Sequence, residues 1–478
     1  MNIKSKILTG LSWTAGASLA GQLITWSITL IVMRLLSPPD YGLLAMASVF
    51  VAFLAMMASA GLGPAIVQAA TIDDSQLQQL QGLITGLNFA LSLGLFIAAP
   101  AIAGFFNEAR LTDIIRVLSF QFIISGFSII PDSLLGRELN FKSRAIVDLS
   151  ANVLGGVVTL IFALAYFGVW SLIAGAMVTT TIKAIFLNLL SPHFFWPRFK
   201  MRGNRQLLGY GGKITAARLL WFFYSQADIF IAGKLLGKDA LGAYSVSMHL
   251  ASLPVQKISA VINQVAFPAF AKIQNDRDLV GRTFLQAATI LSFFSFPVLW
   301  GLSGTAPEIV NIVLGPKWGS AVLPLQMLPF IMPLRMISGF VYSALDAYGR
   351  PDIGIKNLIA ACVVMPTAFI IGSSWGVQGV CTAWIVCYPV LVYANIRRAM
   401  PIIGLSAHQL ISTMIRPVAA SIVMYGAIYF SRIHFFPEIA SVTKLIFLVL
   451  IGCLVYGCLA LTTNRRACQI VFATLRKT

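Results

Sequence analysis

Long apolar stretches separated by short polar breaks recur along the whole chain. Each contains about 20 mainly apolar residues, which is the length that an α-helix needs to cross a bilayer. The shorter alternating segments of a transmembrane β-barrel are not seen. The pattern predicts about fourteen transmembrane helices, over residues 11–35, 41–67, 80–104, 112–134, 147–167, 169–191, 209–234, 241–270, 284–304, 320–345, 355–374, 376–396, 409–430 and 442–462.

Composition strengthens the prediction of a membrane protein. Of the 478 residues, 58% are hydrophobic and only 10% are charged, and the mean hydropathy is +0.85. A soluble protein carries about a quarter charged residues, so this chain has too few to cover a soluble surface. Because lipid offers the backbone no hydrogen-bond partners, we expect an all-α polytopic membrane fold. The four histidines are scattered and the six cysteines lack ligand spacing, so no metal site is expected.

The basic residues predict the orientation of the helices in the membrane. With the N-terminus inside, 21 of the 34 lysines and arginines fall in cytoplasmic segments, and six fall on the opposite side. This bias follows the positive-inside rule and predicts that both termini are cytoplasmic. Because the net charge of +18 comes largely from these loops, nucleic acid is not an expected partner.

One short motif occurs twice, 200 residues apart. The stretch VMRLLSPPDYG at Val32–Gly42 matches AGKLLGKDALG at Ala232–Gly242 in its basic residue, its Leu-Leu pair and its final glycine. Three looser matches follow in the same order, aligning Pro64 with Pro268, Gly136 with Gly349 and Gly168 with Gly376.

Six predicted spans separate the two copies, so the copies have the same orientation in the membrane. The chain is therefore predicted to contain two parallel six-helix lobes, residues 1–205 and 206–405. Residues 406–478 add two extra helices and a short basic cytoplasmic tail. Parallel repeats are typical of transporters that bind substrate between two lobes. A duplicated membrane scaffold without transport is the alternative.

Two groups of motifs resemble a known family. LLSPPDYGLLA at residues 35–45 and GLGPAIVQ at 61–68 resemble the N-terminal signature of the polysaccharide transporter branch of the MATE-like (MOP) flippase superfamily. The segment Ala227–Ile258, followed by VAFPAFAKIQND at Val265–Asp276, resembles the C-lobe signature of the same branch. The resemblance covers nearly the whole chain and is closest to the Wzx-type flippases of the colanic acid exporter group.

The resemblance implies fourteen helices in two lobes around a central cavity. It also implies translocation of polyprenyl-pyrophosphate-linked oligosaccharides across the bacterial inner membrane, for lipopolysaccharide or exopolysaccharide biosynthesis. The expected partners are this lipid-linked oligosaccharide and membrane lipid, with a polysaccharide polymerase and export machinery as further candidates. No cofactor is expected.

Cationic side chains inside the predicted spans are the candidates for contact with the pyrophosphate. An ionisable group within a span costs ~2.5–3.5 kcal/mol on insertion scales, so it normally faces protein or water. Arginine can bind phosphate with two parallel hydrogen bonds, whereas lysine acts as a point charge. The candidates are Arg218, Lys257 and Arg335.

Further polar and aromatic side chains are predicted to contact the substrate. The polar candidates recur at helical spacing or lie beside an aromatic residue, and they are Gln22, Gln226, His249, Gln256 and Gln264. The aromatic candidates, which can stack on sugar rings, are Trp26, Trp221 and Tyr224. Asp228 is expected either to pair with a base such as Arg218 or to couple transport to protons.

Three other functions compete with this interpretation. A MATE-type cation-coupled multidrug or metabolite exporter should prefer acidic linings, whereas the charges within these spans are mainly basic. A flippase for the peptidoglycan lipid precursor would make similar demands on the phosphate site. A membrane-embedded polymerase or glycosyltransferase needs positioned acid or base groups on large outer loops, which the sequence does not provide. We therefore expect no enzyme activity, and the chain lacks the G-x-x-x-x-G-K-[ST] loop of ATP-driven transport.

Overall fold

A computed structural model describes most of the chain. The described residues are 21–22, 24–58, 63, 66–67, 72–138, 140–191, 195–198, 205–273, 276–435, 442–464 and 468–469, with only the backbone for 205–218, 257–269, 271–273 and 351. All regular secondary structure within these ranges is helical. The prediction of an all-α membrane fold is confirmed.

Contacts between residues divide the chain into two compact units, Met1–Gly242 and Ala243–Thr478. The lobe boundary at residue 205 stays a prediction, because it rests on the sequence repeat and not on contacts. The described helices of the first unit are α1 (Ile24–Leu35), α2 (Pro38–Ala58), α3 (Asp74–Phe106), α4 (Leu111–Gly126), α5 (Ile129–Arg137), α6 (Phe141–Leu164), α7 (Val169–Leu190) and the first part of α8 (Arg205–Ile273).

The second unit begins within α8 and contains the remaining helices. The described ones are α9 (Arg277–Gly304), α10 (Ala306–Ile309), α11 (Val322–Met327), α12 (Met332–Ala347), α13 (Pro351–Ser373), α14 (Gly376–Ala399), α15 (Ala407–His434) and α16 (Val442–Thr463). A π-turn and 3₁₀ turns connect α10 to α11 and α11 to α12.

Among the described residues, ten helices are long and apolar enough to cross a membrane, or up to twelve if each of two bent pairs is one span. One of the ten is Leu219–Gln256 within α8, which the sequence predicts as two spans. At Gly237 the backbone has φ 79° and ψ 179°, which breaks the helix between those spans. Glycine adopts this conformation without a Cβ penalty. The count of fourteen stays a prediction.

Side-chain amides satisfy the backbone at the first bend. Helices α4 and α5 meet at 43° where a single span, 112–134, is predicted. The carbonyl of Gly126 accepts a hydrogen bond from the Gln81 amide at 3.2 Å, and the carbonyl of Phe127 accepts one from Asn188 at 2.9 Å. Because lipid cannot hydrogen-bond these carbonyls, the bend depends on amides from α3 and α7.

Prolines account for the second bend. The segment Pro316–Phe330 meets α12 at 42°, within the predicted span 320–345. Pro324, Pro329 and Pro333 lie in or beside this break. Proline lacks the amide hydrogen and its ring displaces the preceding turn, so a straight helix is disfavoured here.

The two copies of the repeated motif pack against each other within the first unit. A Cβ atom at Gly42 would overlap the backbone carbonyl of Lys238, and one at Gly242 would overlap that of Pro38. Positions 42 and 242 are equivalent in the repeat, as are 38 and 238, so the contact is reciprocal, as at a two-fold interface. Only glycine allows the two backbones to approach this closely.

Each unit has an ion pair shortly after a long helix, α3 in the first unit and α9 in the second. Glu108 accepts a hydrogen bond from the Lys238 ammonium at 2.6 Å, which ties the second motif to the turn after α3. In the second unit, Glu308 of α10 pairs with Lys444 of α16 at 3.1 Å, and both side chains are nearly fully buried. The aligned residues Gly168 and Gly376 also share a positive φ, of 58° and 65°.

The reciprocal glycine contact predicts an unusual response to alanine. Alanine normally stabilises a helix by up to about 1 kcal/mol relative to glycine. At Gly42 or Gly242 the new methyl group would instead displace backbone, so we expect a loss of about 1–3 kcal/mol in the free energy of unfolding. Thermal unfolding of the purified protein in detergent measures the effect.

Gly94 supplies the control, because a Cβ there meets nothing within 4 Å. Gly94→Ala should leave the protein equally or more stable. Equal stability of all three alanine variants would contradict a tight contact between the motifs.

Candidate functional site

A polar cavity of about 430 Å³ lies in the first unit, between α1 and α6. Its volume is within the range of sites for small ligands. Two predicted site residues, Gln22 and Trp26, lie in its wall. The other lining residues are Gly21, Thr25, Phe141, Arg144, Ala145, Asp148, Leu149 and Asn152. The structure therefore brings together an amide, an indole and a charged helix face.

The charges in this cavity are paired. Asp148 binds Lys183 of α7 at 2.7 Å, and Arg144 binds Asp132 of α5 at 2.9 Å. The side chains of both lining residues stay close to half exposed, at 42% for Asp148 and 43% for Arg144. Both side chains can therefore make further hydrogen bonds to a ligand, while their paired charges leave the cavity without net charge.

The α6 residues of this cavity were not predicted from sequence. Arg144, Asp148 and Asn152 recur at intervals of four, which places them on one helix face. This spacing was visible in the sequence at the start of span 147–167. These residues lie near the predicted cytoplasmic end of the span. Charged residues at such a position are more simply interpreted as solvated loop residues than as part of a ligand site.

Arg335 lies on an aromatic cluster in the second unit. Its guanidinium is 5.0 Å from the ring centroid of Trp384, and Nη1 lies 3.7 Å from the sulfur of Met248, a weak acceptor. Trp384 is buried and donates a hydrogen bond from its indole N–H to the hydroxyl of Tyr244 at 2.9 Å. This hydrogen bond fixes the position of the indole ring on which Arg335 packs.

Arg335 has no carboxylate at ion-pair distance among the residues whose side chains are described. The arginine is half-buried, so its charge is only partly solvated. The contact with Trp384 uses the face of the guanidinium and the contact with Met248 uses one N–H, so these two neighbours occupy few of its five N–H donors. Such a group can bind an anion, and phosphate oxygens match its geometry.

A larger, apolar cavity of about 820 Å³ lies elsewhere in the second unit. Helices α9, α15 and α16 line it, with residues such as Phe293, Pro297 and Ile428. The Tyr456 hydroxyl, one of its few polar groups, donates a hydrogen bond to the Phe293 carbonyl at 2.7 Å. The remaining wall can accommodate a hydrocarbon.

Four other predicted site residues follow one another on α8, within the first unit. Asp228 is buried, and one of its oxygens accepts a hydrogen bond from the Ile229 amide at 2.8 Å. Trp221 is exposed, and Tyr224 and Gln226 are half-buried. None of these four lies in the wall of the polar cavity. A role in substrate contact or coupling stays a prediction for each.

The remaining candidates lie further along α8 or outside the described side chains. His249 and Gln256 are both exposed, as their shared helical face predicts, and Gln256 donates to Ser252 at 3.3 Å. The side chains of Arg218, Lys257 and Gln264 lie outside the described residues, and so does any pairing of Asp228 with Arg218.

Comparison with protein families identifies the chain. The model of the family described as "Polysaccharide biosynthesis protein" matches residues 31–323, which is more than half of the sequence. The chain belongs to this family. The match includes both copies of the repeated motif and ends before α12.

Two relatives are similar to this chain over nearly its whole length. The lipopolysaccharide biosynthesis protein WzxC of Escherichia coli is 24% identical over 426 residues, covering 88% of this chain and 87% of the relative. The succinoglycan biosynthesis transport protein ExoT of Rhizobium meliloti is 24% identical over 461 residues, covering 91% and 88%.

Solved structures support the fold assignment. The lipid II flippase MurJ in an inward closed conformation has a TM-score of 0.75 at 16% identity, covering 95% of this chain and 99% of MurJ. An inward-facing MATE multidrug transporter has a TM-score of 0.61 at 14% identity, covering 85% and 95%. At these identities the likeness shows the fold alone, which is a multi-pass helical fold shared with these two transporters.

The availability of Arg335 predicts an anion site that can be measured directly. We expect Arg335→Ala to weaken binding of inorganic pyrophosphate to the purified protein by about tenfold to a hundredfold, because charge-assisted hydrogen bonds are lost. Isothermal titration in detergent gives the dissociation constants.

Arg432 is the matched control, since its guanidinium also lies over an aromatic ring, that of Tyr429, at 5.2 Å. Arg432→Ala should bind pyrophosphate as the unmodified protein does. Equal affinities for all three proteins would remove Arg335 from the list of anion-binding residues.

Proposed function

We propose that this protein is a flippase for polyprenyl-pyrophosphate-linked oligosaccharides. It would move completed repeat units from the cytoplasmic to the outer leaflet of a bacterial inner membrane, for surface polysaccharide or exopolysaccharide biosynthesis. The observation that carries the proposal is the family match over residues 31–323. The names of the two relatives, which refer to lipopolysaccharide biosynthesis and succinoglycan transport, support the same substrate class.

Arg335 supports an anionic head group. A substrate of this class carries two phosphates, which need positive charge when they leave water. Arg335 offers a guanidinium with no carboxylate nearby among the described side chains. A transporter for cationic drugs would require the opposite charge at such a position. The arginine therefore favours lipid pyrophosphate over the multidrug alternative.

The apolar cavity supports a long hydrocarbon tail. Its volume is about 820 Å³, and α15 and α16, which supply much of its wall, lie outside the predicted six-helix repeats. A polyprenyl chain is too apolar to cross a wet path, so it has to stay in lipid or in an apolar wall of the protein. We assign this cavity to part of that chain.

Transport by alternating access fits the fold, because the MurJ and MATE likeness covers most of the chain. In this proposal the protein performs no bond-making chemistry and holds no cofactor, and both termini face the cytoplasm. A polymerase and export machinery on the other side of the membrane would consume the flipped repeat units and so pull transport forward.

A genetic experiment tests the proposed function. Deletion of the gene in the source bacterium, with related transporters also removed, should cause completed lipid-linked repeat units to accumulate. Surface polymer should be lost, and plasmid-borne protein should restore it. Mass spectrometry of extracted polyprenyl lipids provides the readout. Unchanged lipid-linked sugars together with normal polymer would show that the proposal is wrong.

Native cysteines test the tail assignment. Cys453 lies in the wall of the apolar cavity. Cys458 is also exposed on the same helix, but it does not line the cavity. In a protein whose other cysteines are replaced by serine, a bulky membrane-permeant maleimide at Cys453 should block repeat-unit export. Filling the cavity removes the space for the tail.

The same reagent at Cys458, in the matching single-cysteine protein, should leave export intact. Equal effects at both positions would mean that the cavity is not used during transport. Polymer on the cell surface and the extent of labelling are measured in the same cells.

A further inference from the structure

The polar cavity differs chemically from the surroundings of Arg335. Among the described residues, its lining holds one cation, Arg144, and one anion, Asp148. Each is already paired with an opposite charge outside the cavity wall, at 2.9 Å to Asp132 and at 2.7 Å to Lys183. The four charges sum to zero.

This balance argues against a phosphate in the cavity. A pyrophosphate would compete with Asp132 for Arg144, and the carboxylate of Asp148 in the same wall would repel it, with no net positive charge in the cavity to offset that repulsion. Uncharged hydroxyl groups avoid both costs, because they can donate to a carboxylate and accept from a guanidinium without breaking either pair. The cavity therefore favours a neutral ligand that is rich in hydroxyl groups.

The aromatic residues add a second requirement. Trp26 is 39% exposed and Phe141 is 41% exposed, and both line the cavity. Partly open aromatic faces beside amides such as Gln22 and Asn152 suit a ligand with one apolar and several polar faces. A pyranose ring has this character, since its C–H groups form an apolar face and its hydroxyl groups lie around the edge.

We propose that the cavity between α1 and α6 binds an uncharged sugar residue of the lipid-linked oligosaccharide and thereby selects the glycan. Trp26 stacks on the ring, and Gln22, Asn152 and the paired ions bind its hydroxyl groups. The assignment rests on the proposed flippase function. It divides recognition, with the glycan read in the first unit and the pyrophosphate bound by Arg335 in the second.

The test compares two lipids that differ only in the sugar. The probes are polyprenyl pyrophosphate and the same lipid carrying the neutral oligosaccharide repeat, and binding is measured on the purified protein in nanodiscs. The unmodified protein should bind the glycosylated lipid more tightly. Trp26→Ala should weaken that binding by roughly three- to tenfold, with the bare lipid bound as before. Arg335→Ala should weaken binding of both lipids.

Trp170 is the matched control, because it is 37% exposed in the same unit and does not line the cavity. Trp170→Ala should retain the full preference for the glycosylated lipid. If Trp26→Ala and Gln22→Ala also retain it, the sugar site is wrong.

The wild-type result separates the two proposals. Equal binding of both lipids would leave the flippase function standing and overturn the sugar site. Binding of neither lipid would overturn the proposed function, and the sugar site with it.

Charge balance gives an independent test. Asp148→Asn removes one charge and frees Lys183, so the cavity becomes cationic. Its relative affinity should shift at least about threefold towards a lipid-linked oligosaccharide that carries a uronic acid. If the relative affinity does not shift, the pairing of Asp148 with Lys183 does not determine which sugar is bound. Circular dichroism of the variant confirms that the helices are retained.

Discussion

The hydrocarbon core of the membrane gives the backbone nothing to hydrogen-bond, and much of this structure follows from that constraint. It makes every described span a helix, and it also limits where a helix can bend. Between α4 and α5 the bend leaves carbonyls at Gly126 and Phe127, and amides from Gln81 and Asn188 bind them. Asn88 serves the same purpose at the carbonyl of Ala58, at 2.9 Å, near the end of α2. The amides of Gln81, Asn88 and Asn188 thus complete the hydrogen bonding of the backbone.

The same lack of hydrogen-bond partners in the membrane makes the pairing of each charged residue informative about its ligand. In a membrane protein a charge is expensive unless it is paired or solvated. The paired charges of the polar cavity and Arg335, which has no carboxylate partner among the described side chains, therefore suit two different kinds of ligand group. The polar cavity suits uncharged polar groups, whereas Arg335 suits an anion. An amphiphilic substrate that carries sugar, phosphate and hydrocarbon has a use for both, and for the apolar wall around Phe293.

Sequence patterns predicted the parts of the fold that depend on local chemistry. Long apolar runs predict membrane helices because length and hydropathy alone decide insertion, and the break at Gly237 lies between two predicted spans. The bend at Gly126 was missed because its stabilising amides come from residues 45 and 61 positions away from the carbonyls they bind.

The site was predicted less completely for the same reason. Gln22 and Trp26 were recognised by their spacing on one helix, and they share a cavity. Their neighbours Asp148 and Asn152 belong to another helix, and the pairing of Asp148 with Lys183 joins a third. Such partnerships depend on tertiary packing, which hydropathy does not encode. Arg335 was identified because an arginine in an apolar run is conspicuous, but its aromatic base at Trp384 became visible only in three dimensions.

The buried pair of Glu308 and Lys444 anchors the last described long helix, α16, within the second unit. The two side chains meet at 3.1 Å, and both are nearly fully buried. Removing one member of such a pair leaves an uncompensated charge in the interior, which strongly destabilises a protein, whereas replacing both by apolar residues can be neutral. The two positions are therefore expected to change together in evolution, although they lie on helices far apart in the chain.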